Sequence, residues 1–144
     1  MCGIAGFSGK GDKNILLNMM RTLNHRGPDD EGIYADDRVH LGHKRLSIID
    51  LSEKGRQPMT NENGSVWLVF NGEIYNFQSL RKSLLDKDHR FASNTDSEVI
   101  IHLYEDLGTE MFKELNGMFA FALWDKRLRK LFLVRDRMGQ KPLY

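Results

Sequence analysis

Cysteine is almost absent from this chain of 144 residues: Cys2 is the only one. No internal disulfide can form, which fits a reducing compartment, and no thiolate cluster for zinc or iron–sulfur can be assembled. No apolar run approaches the roughly 20 residues of a spanning helix, and the N-terminus lacks the basic and apolar regions of a secretory signal. An excess of charge is missing too. The net charge of +1 gives no footing for nucleic acid or an acidic membrane surface as main partner. Repeats, low-complexity tracts and linkers are also lacking, so we read one domain over 1–144. With 40% hydrophobic and 28% charged residues, that domain has the composition of a soluble globular core.

What is present is local pattern. Cys2–Ser8 reads as a buried strand, and Asn14–Asn24 as a helix with Leu16, Met19, Met20 and Leu23 on one face. His25–Asp30 is a Gly-Pro loop. Strand-like segments follow at Gly32–Asp36, Val39–His43 and Leu46–Asp50, then a polar, turn-rich stretch over 51–64. Ser65–Phe70 is a strong β run that stops at the turn pair Asn71-Gly72. Asn76 is placed to cap a helix carrying Phe77, Leu80 and Leu84. Asp96 is placed to cap one with Ile100, Leu103, Tyr104 and Leu107 on one face. Met118–Trp124 and Lys130–Val134 form a hairpin around Asp125–Arg129. Sheets packed on sheets under helices, mainly antiparallel, follow from this grouping. The apolar start at Lys141–Tyr144 reads as a segment cut short.

Several residues admit a chemical reading beside an ordinary one. If Met1 is removed, Cys2 carries a thiol and a free α-amine whose pKa near ~7.7–8.0 suits it to relay the thiol proton; otherwise Cys2 is a small buried hydrophobe. Gly3 beside it permits close backbone approach. Asn71-Gly72-Glu73 could offer a side-chain amide and a glycine N–H to an oxyanion, or simply turn the chain. Arg45 could clamp a carboxylate or be a solvated strand-end charge. Asp96 could meet an ammonium or be a plain N-cap. His40 and His43 point to opposite faces of an extended chain, and His25, His89 and His102 have no spacing that suggests a site, so no metal is expected.

In combination these residues become specific. Met1-Cys2-Gly3-Ile4-Ala5-Gly6, His25-Arg26-Gly27-Pro28-Asp29, His43-Lys44-Arg45-Leu46-Ser47-Ile48-Ile49-Asp50 and Gln57-Pro58-Met59 are followed by Asn71-Gly72-Glu73-Ile74-Tyr75-Asn76 and Asp96-Ser97-Glu98. After these come Gly117-Met118-Phe119-Ala120-Phe121-Ala122, Arg135-Asp136-Arg137-Met138-Gly139 and Lys141-Pro142-Leu143-Tyr144. Over its whole length the chain resembles the glutaminase domain of glutamine-hydrolysing asparagine synthetase, a class II amidotransferase of the N-terminal-nucleophile type.

The resemblance implies an α+β, four-layer αββα sandwich of two mainly antiparallel sheets, continuing past Tyr144. It implies glutamine as substrate and Cys2 as the nucleophile that forms a glutamyl thioester, with Asn71 and the Gly72 N–H as oxyanion hole. Arg45 would hold the α-carboxylate and Glu73 and Asp96 the α-ammonium, while the segment Arg45, Leu46, Ser47, Ile48 and Ile49 lines the site. No cofactor is implied for this domain. ATP and Mg belong to a synthetase domain in cis, absent from this sequence, that would receive the ammonia and amidate aspartate. A cytoplasmic enzyme, in which a homo-oligomer can form, is the expectation. Two alternatives stand beside it: the same glutaminase half serving another acceptor, a sugar or secondary metabolite, and a catalytically inactive docking or regulatory domain.

Overall fold

The computed structural model describes residues 1–144. The first sheet has three strands in the order β1-β3-β2, namely β1 (Gly3–Ser8), β2 (Asp30–Ala35) and β3 (Val39–Arg45), all antiparallel. Helix α1 (Lys13–Arg21) begins where the Asp12 carboxylate accepts from the Asn14 N–H, and it sinks Leu16 and Met20 against this sheet. The second sheet runs β4 (Met59–Thr60), β5 (Val66–Ile74), β6 (Gly117–Asp125) and β7 (Lys130–Arg135), also antiparallel. Its outer face is covered by α2 (Phe77–Leu85), α3 (Glu98–Leu107) and a short 3₁₀ helix over Gly108–Lys113. The result is an α+β stack of helix, sheet, sheet and helices.

Alternation along the strands decides what each layer buries. On β5, Val66, Leu68 and Phe70 face the helices and join Phe119, Phe121 and Leu123 of β6 in the larger core. Trp67 and Val69, with their β6 partners Trp124 and Ala122, face the other sheet, where they meet Val39, Leu41 and Ile4. Two further contacts pin the sheets together. Tyr34 stacks on Trp67 at 4.2 Å between ring centroids, and the Asp36 carboxylate accepts both the Tyr34 hydroxyl at 2.6 Å and the Trp124 indole N–H at 2.9 Å.

Three local expectations are corrected. The β run does not stop at Asn71-Gly72: β5 continues to Ile74, with Asn71 opposite Ala120 and Gly72 opposite Phe119. Pairing with a nine-residue β6 overrides the turn preference of the dipeptide. Leu46–Asp50 is not a strand but a loop, because β3 ends at Arg45 and Asp50 folds the chain back. The Asp50 carboxylate accepts from the Ser52 N–H and hydroxyl and from the Asn94 N–H. Neither proposed cap acts as one. Asn76 stands at the start of α2, but its side chain bonds Glu114 and Asn116, and α3 starts after Ser97.

Candidate active site

One cleft is lined by residues of both sheets, and it collects most of the candidate residues. Register explains why. Gly3 pairs with Lys44, so Cys2 falls opposite Arg45, and both follow the inward parity of Ile4, Leu41 and His43. Across the gap, Asn71 follows Trp67 and Val69 on the inner face of β5. The cleft is lined by Cys2, Arg45, Leu46, Ile48, Ile49, Asn71, Gly72, Glu73 and Asp96. Ser47 sits on the same loop without lining the cleft, and its N–H is tied to the Asp29 carboxylate at 2.8 Å.

The Cys2 thiol lies against the loop that follows β3. It donates to the Leu46 carbonyl at 3.7 Å and accepts from the Leu46 N–H at 3.4 Å, while the Cys2 carbonyl accepts from Arg26 Nε at 3.1 Å. These three bonds fix the nucleophile candidate on a chain end that would otherwise fray.

β5 outruns β4, and this leaves an unusual edge. Backbone N–H groups of alternate residues point away from β6, and past Leu68 there is no strand to receive them. The Phe70 N–H is taken by Gln57 Oε1 at 2.6 Å and the Ile74 N–H by Asp96 Oδ2 at 2.8 Å. The Gly72 N–H lies between them, pointing the same way. A Cβ at Gly72 would stand 2.2 Å from the Met118 carbonyl oxygen, so only glycine fits. The Asn71 carboxamide, in a residue 5% exposed, bonds no protein group and is open to the cleft.

Charge is segregated along the walls. Arg45 is buried and donates through Nη1 to the Ser52 carbonyl at 2.8 Å and through Nη2 to the Asp50 carbonyl, leaving three of its five N–H donors. Gly55 makes room for it, since a Cβ there would meet Arg45 Nη2 at 2.3 Å. Burial pushes the Asp96 pKa up, partly offset by the Ile74 N–H, with Glu73 nearby adding to the rise. His43 is buried against the Phe70 carbonyl, and burial draws its pKa down to about 4, so it is a neutral wall of the cleft.

These positions can be set beside known proteins. A family model for the glutamine amidotransferase domain matches residues 1–144. The chain belongs to that family. Among curated relatives, it is similar to asparagine synthetase [glutamine-hydrolyzing] 2 of Bacillus subtilis, 45% identical over all of this chain and 20% of that protein. Asparagine synthetase [glutamine-hydrolyzing] 2 of Oryza sativa is 43% identical, again over all of this chain and 25% of the relative. This chain thus spans about a quarter or less of these relatives' length. Its fold is similar to that of the B. subtilis glutamine phosphoribosylpyrophosphate amidotransferase complexed with ADP and GMP, with a TM-score of 0.81 at 20% identity, covering 96% of this chain and 38% of that one.

The amidotransferase cleft also holds a residue that the sequence shows only as part of a motif, with no site role attached. Lys141 is 7% exposed, and its Nζ lies 2.9 Å from Met1 Sδ with no carboxylate within ion-pair distance. The Asp136 carboxylate sets it there, accepting from the N–H groups of Phe119, Met138, Gln140 and Lys141. A basic residue just past the end of a β hairpin carries no local signal of this placement.

Proposed function

We propose that this amidotransferase domain is a glutaminase acting through Cys2. The observation that carries the reading is the convergence, on one cleft between two sheets, of a thiol, an unbonded carboxamide, a free glycine N–H, one arginine and two carboxylates. After removal of Met1, the Cys2 amine takes the thiol proton and the sulfur attacks the carboxamide carbon of glutamine. The Asn71 amide and the Gly72 N–H donate to the oxygen as it becomes an oxyanion. The proton then passes to the leaving nitrogen, the C–N bond breaks, and ammonia departs from a glutamyl thioester. Water adds to the thioester carbonyl, the C–S bond breaks, and glutamate is released with the thiol restored. Arg45 takes the α-carboxylate with its remaining donors, Glu73 and Asp96 take the α-ammonium, and Leu46, Ser47, Ile48 and Ile49 supply the loop beside it.

The names of the relatives support a finer reading, in which the ammonia passes to a synthetase domain in cis that amidates aspartate to asparagine with ATP and Mg. The domain itself requires no cofactor for the steps above. Cys2→Ala in the full chain tests the assignment. Glutamate release should vanish, while amidation from free ammonia persists if the synthetase partner is present. Glutaminase activity surviving in Cys2→Ala refutes it.

A further inference from the structure

Behind the second sheet, away from the cleft, the helical layer brings His89 against a pair of side chains on α3. His102 and Glu105 are three residues apart on α3 and share a face. The turn after α2 passes through Asp88 at φ 67° and sets His89 over that face. His89 Nδ1 is 3.3 Å from His102 Nδ1 and 3.8 Å from Glu105 Oε2, and His102 Nδ1 is 3.2 Å from the same oxygen. A triangle with those sides has a circumscribed circle of radius about 2.0 Å, which is the reach of zinc to imidazole nitrogen and carboxylate oxygen, ~2.0–2.2 Å.

Two of the three groups, His89 and Glu105, are held from behind by hydrogen bonds. His89 Nε2 is 2.8 Å from Asp106 Oδ1, and His102 Nε2, sealed from solvent with no hydrogen-bond partner, faces Glu98 Oε1 at 3.7 Å. Glu98 is itself fixed by the N–H groups of Ala92 and Ser93 and by the Ser93 hydroxyl. Glu105 Oε1 accepts from buried Asn61 at 2.8 Å, leaving Oε2 for the centre. The Asp106 carboxylate places the His89 ring proton on Nε2, and Glu98 is the carboxylate nearest His102 Nε2. With the His102 proton on that side, both Nδ1 atoms and Glu105 Oε2 face one another as acceptors, all within 4.8 Å. Acceptors facing acceptors call for a cation between them.

We propose that His89 Nδ1, His102 Nδ1 and Glu105 Oε2 bind one divalent transition-metal cation of the zinc class. Two imidazoles select against magnesium and calcium, which prefer oxygen ligands. Partial exposure of His89 and Glu105 leaves a fourth position open to water. The ion clips the turn after α2 to α3, the helix that follows directly on Asp96.

Zinc chloride titrated calorimetrically into the full chain carrying Cys2→Ala, which removes the competing thiol, tests this. One zinc per chain is expected, with a melting temperature that rises with zinc concentration. His89→Gln should abolish both effects, and Asp106→Asn should weaken binding by about 10–100-fold. Magnesium should produce neither. Because His89 is at the rim of the cluster, a melt of His89→Gln without metal confirms that this variant folds. Absence of stoichiometric binding, meaning that only a proton bridges the histidines, overturns the proposal. Zinc affinity unchanged in folded His89→Gln overturns it too.

Discussion

Asn71 allows catalysis to be separated from folding at one position. Its backbone is held in the β5–β6 ladder opposite Ala120, but its side chain makes no hydrogen bond to the protein. Asn71→Ala therefore breaks no internal bond, and the change in stability should stay within about 1 kcal/mol, the spread of strand preferences. If the amide donates to the oxyanion, its loss should lower kcat by about 10²–10³, or roughly 2.7–4 kcal/mol of transition-state stabilisation, with little change in glutamine affinity. Asn71→Asp is the sharper variant. It places a carboxylate where negative charge develops, in a cleft that already holds Glu73 and Asp96, and kcat should fall at least as far as in Asn71→Ala. Glutamate release measured beside a thermal melt reads both quantities. A folded Asn71→Asp enzyme with near-normal kcat would remove Asn71 from the mechanism.

Gly72→Ala should act through the backbone, because its Cβ would meet the Met118 carbonyl oxygen and Phe119 Cα at 2.2 and 2.7 Å; a melt should show about 1–3 kcal/mol of destabilisation, with kcat reduced as Asn71 shifts. His43 should remain neutral from about pH 5 to 8, since burial holds its pKa near 4. An NMR titration in which the His43 ring protonates near its ordinary value would contradict that. Asp50 has its pKa drawn down to about 2, first by the Asn94 N–H and then by the Ser52 hydroxyl and N–H. A depressed carboxyl stabilises the fold above its unfolded pKa of ~3.9 and loses that contribution as pH falls toward 2. Acid unfolding should show this loss in the wild type, whereas Asp50→Asn, already lacking it, should show a shallower dependence over the same range.

The sequence was most legible where periodicity and burial agree. Leu16 and Met20 lie buried on α1 as their spacing predicts, and the hairpin around Asp125–Arg129 stands between β6 and β7. It misled where a local preference met a longer partner. Asn71-Gly72 is the strongest short turn signal in the chain, yet the β6 ladder draws it straight, and that straightness is what leaves the Gly72 N–H at an unpaired edge. Leu46–Asp50 has the composition of a strand, but strands need neighbours, and Arg45 and Asp50 bind this segment to itself instead. Asp96 looks like a cap in one dimension and spends its carboxylate on Ile74, 22 residues away. The candidate cleft residues are legible through their motif order, which includes Lys141 without marking its place in the cleft, whereas the His89–His102 pair owes its position to a turn whose path no periodicity encodes.

The seam between the sheets has a kinetic meaning as well as a geometric one. Cys2 and Arg45 ride on one sheet and Asn71 and Gly72 on the other, so on the proposed mechanism neither half owns a complete centre. During refolding, ladder formation should restore the far-ultraviolet signal of each sheet before glutamate release returns, and the lag between them times the docking step. Lesions at the Asp36–Trp124 pin, which lines no part of the cleft, should then silence the enzyme by parting its two halves although no cleft residue has been changed.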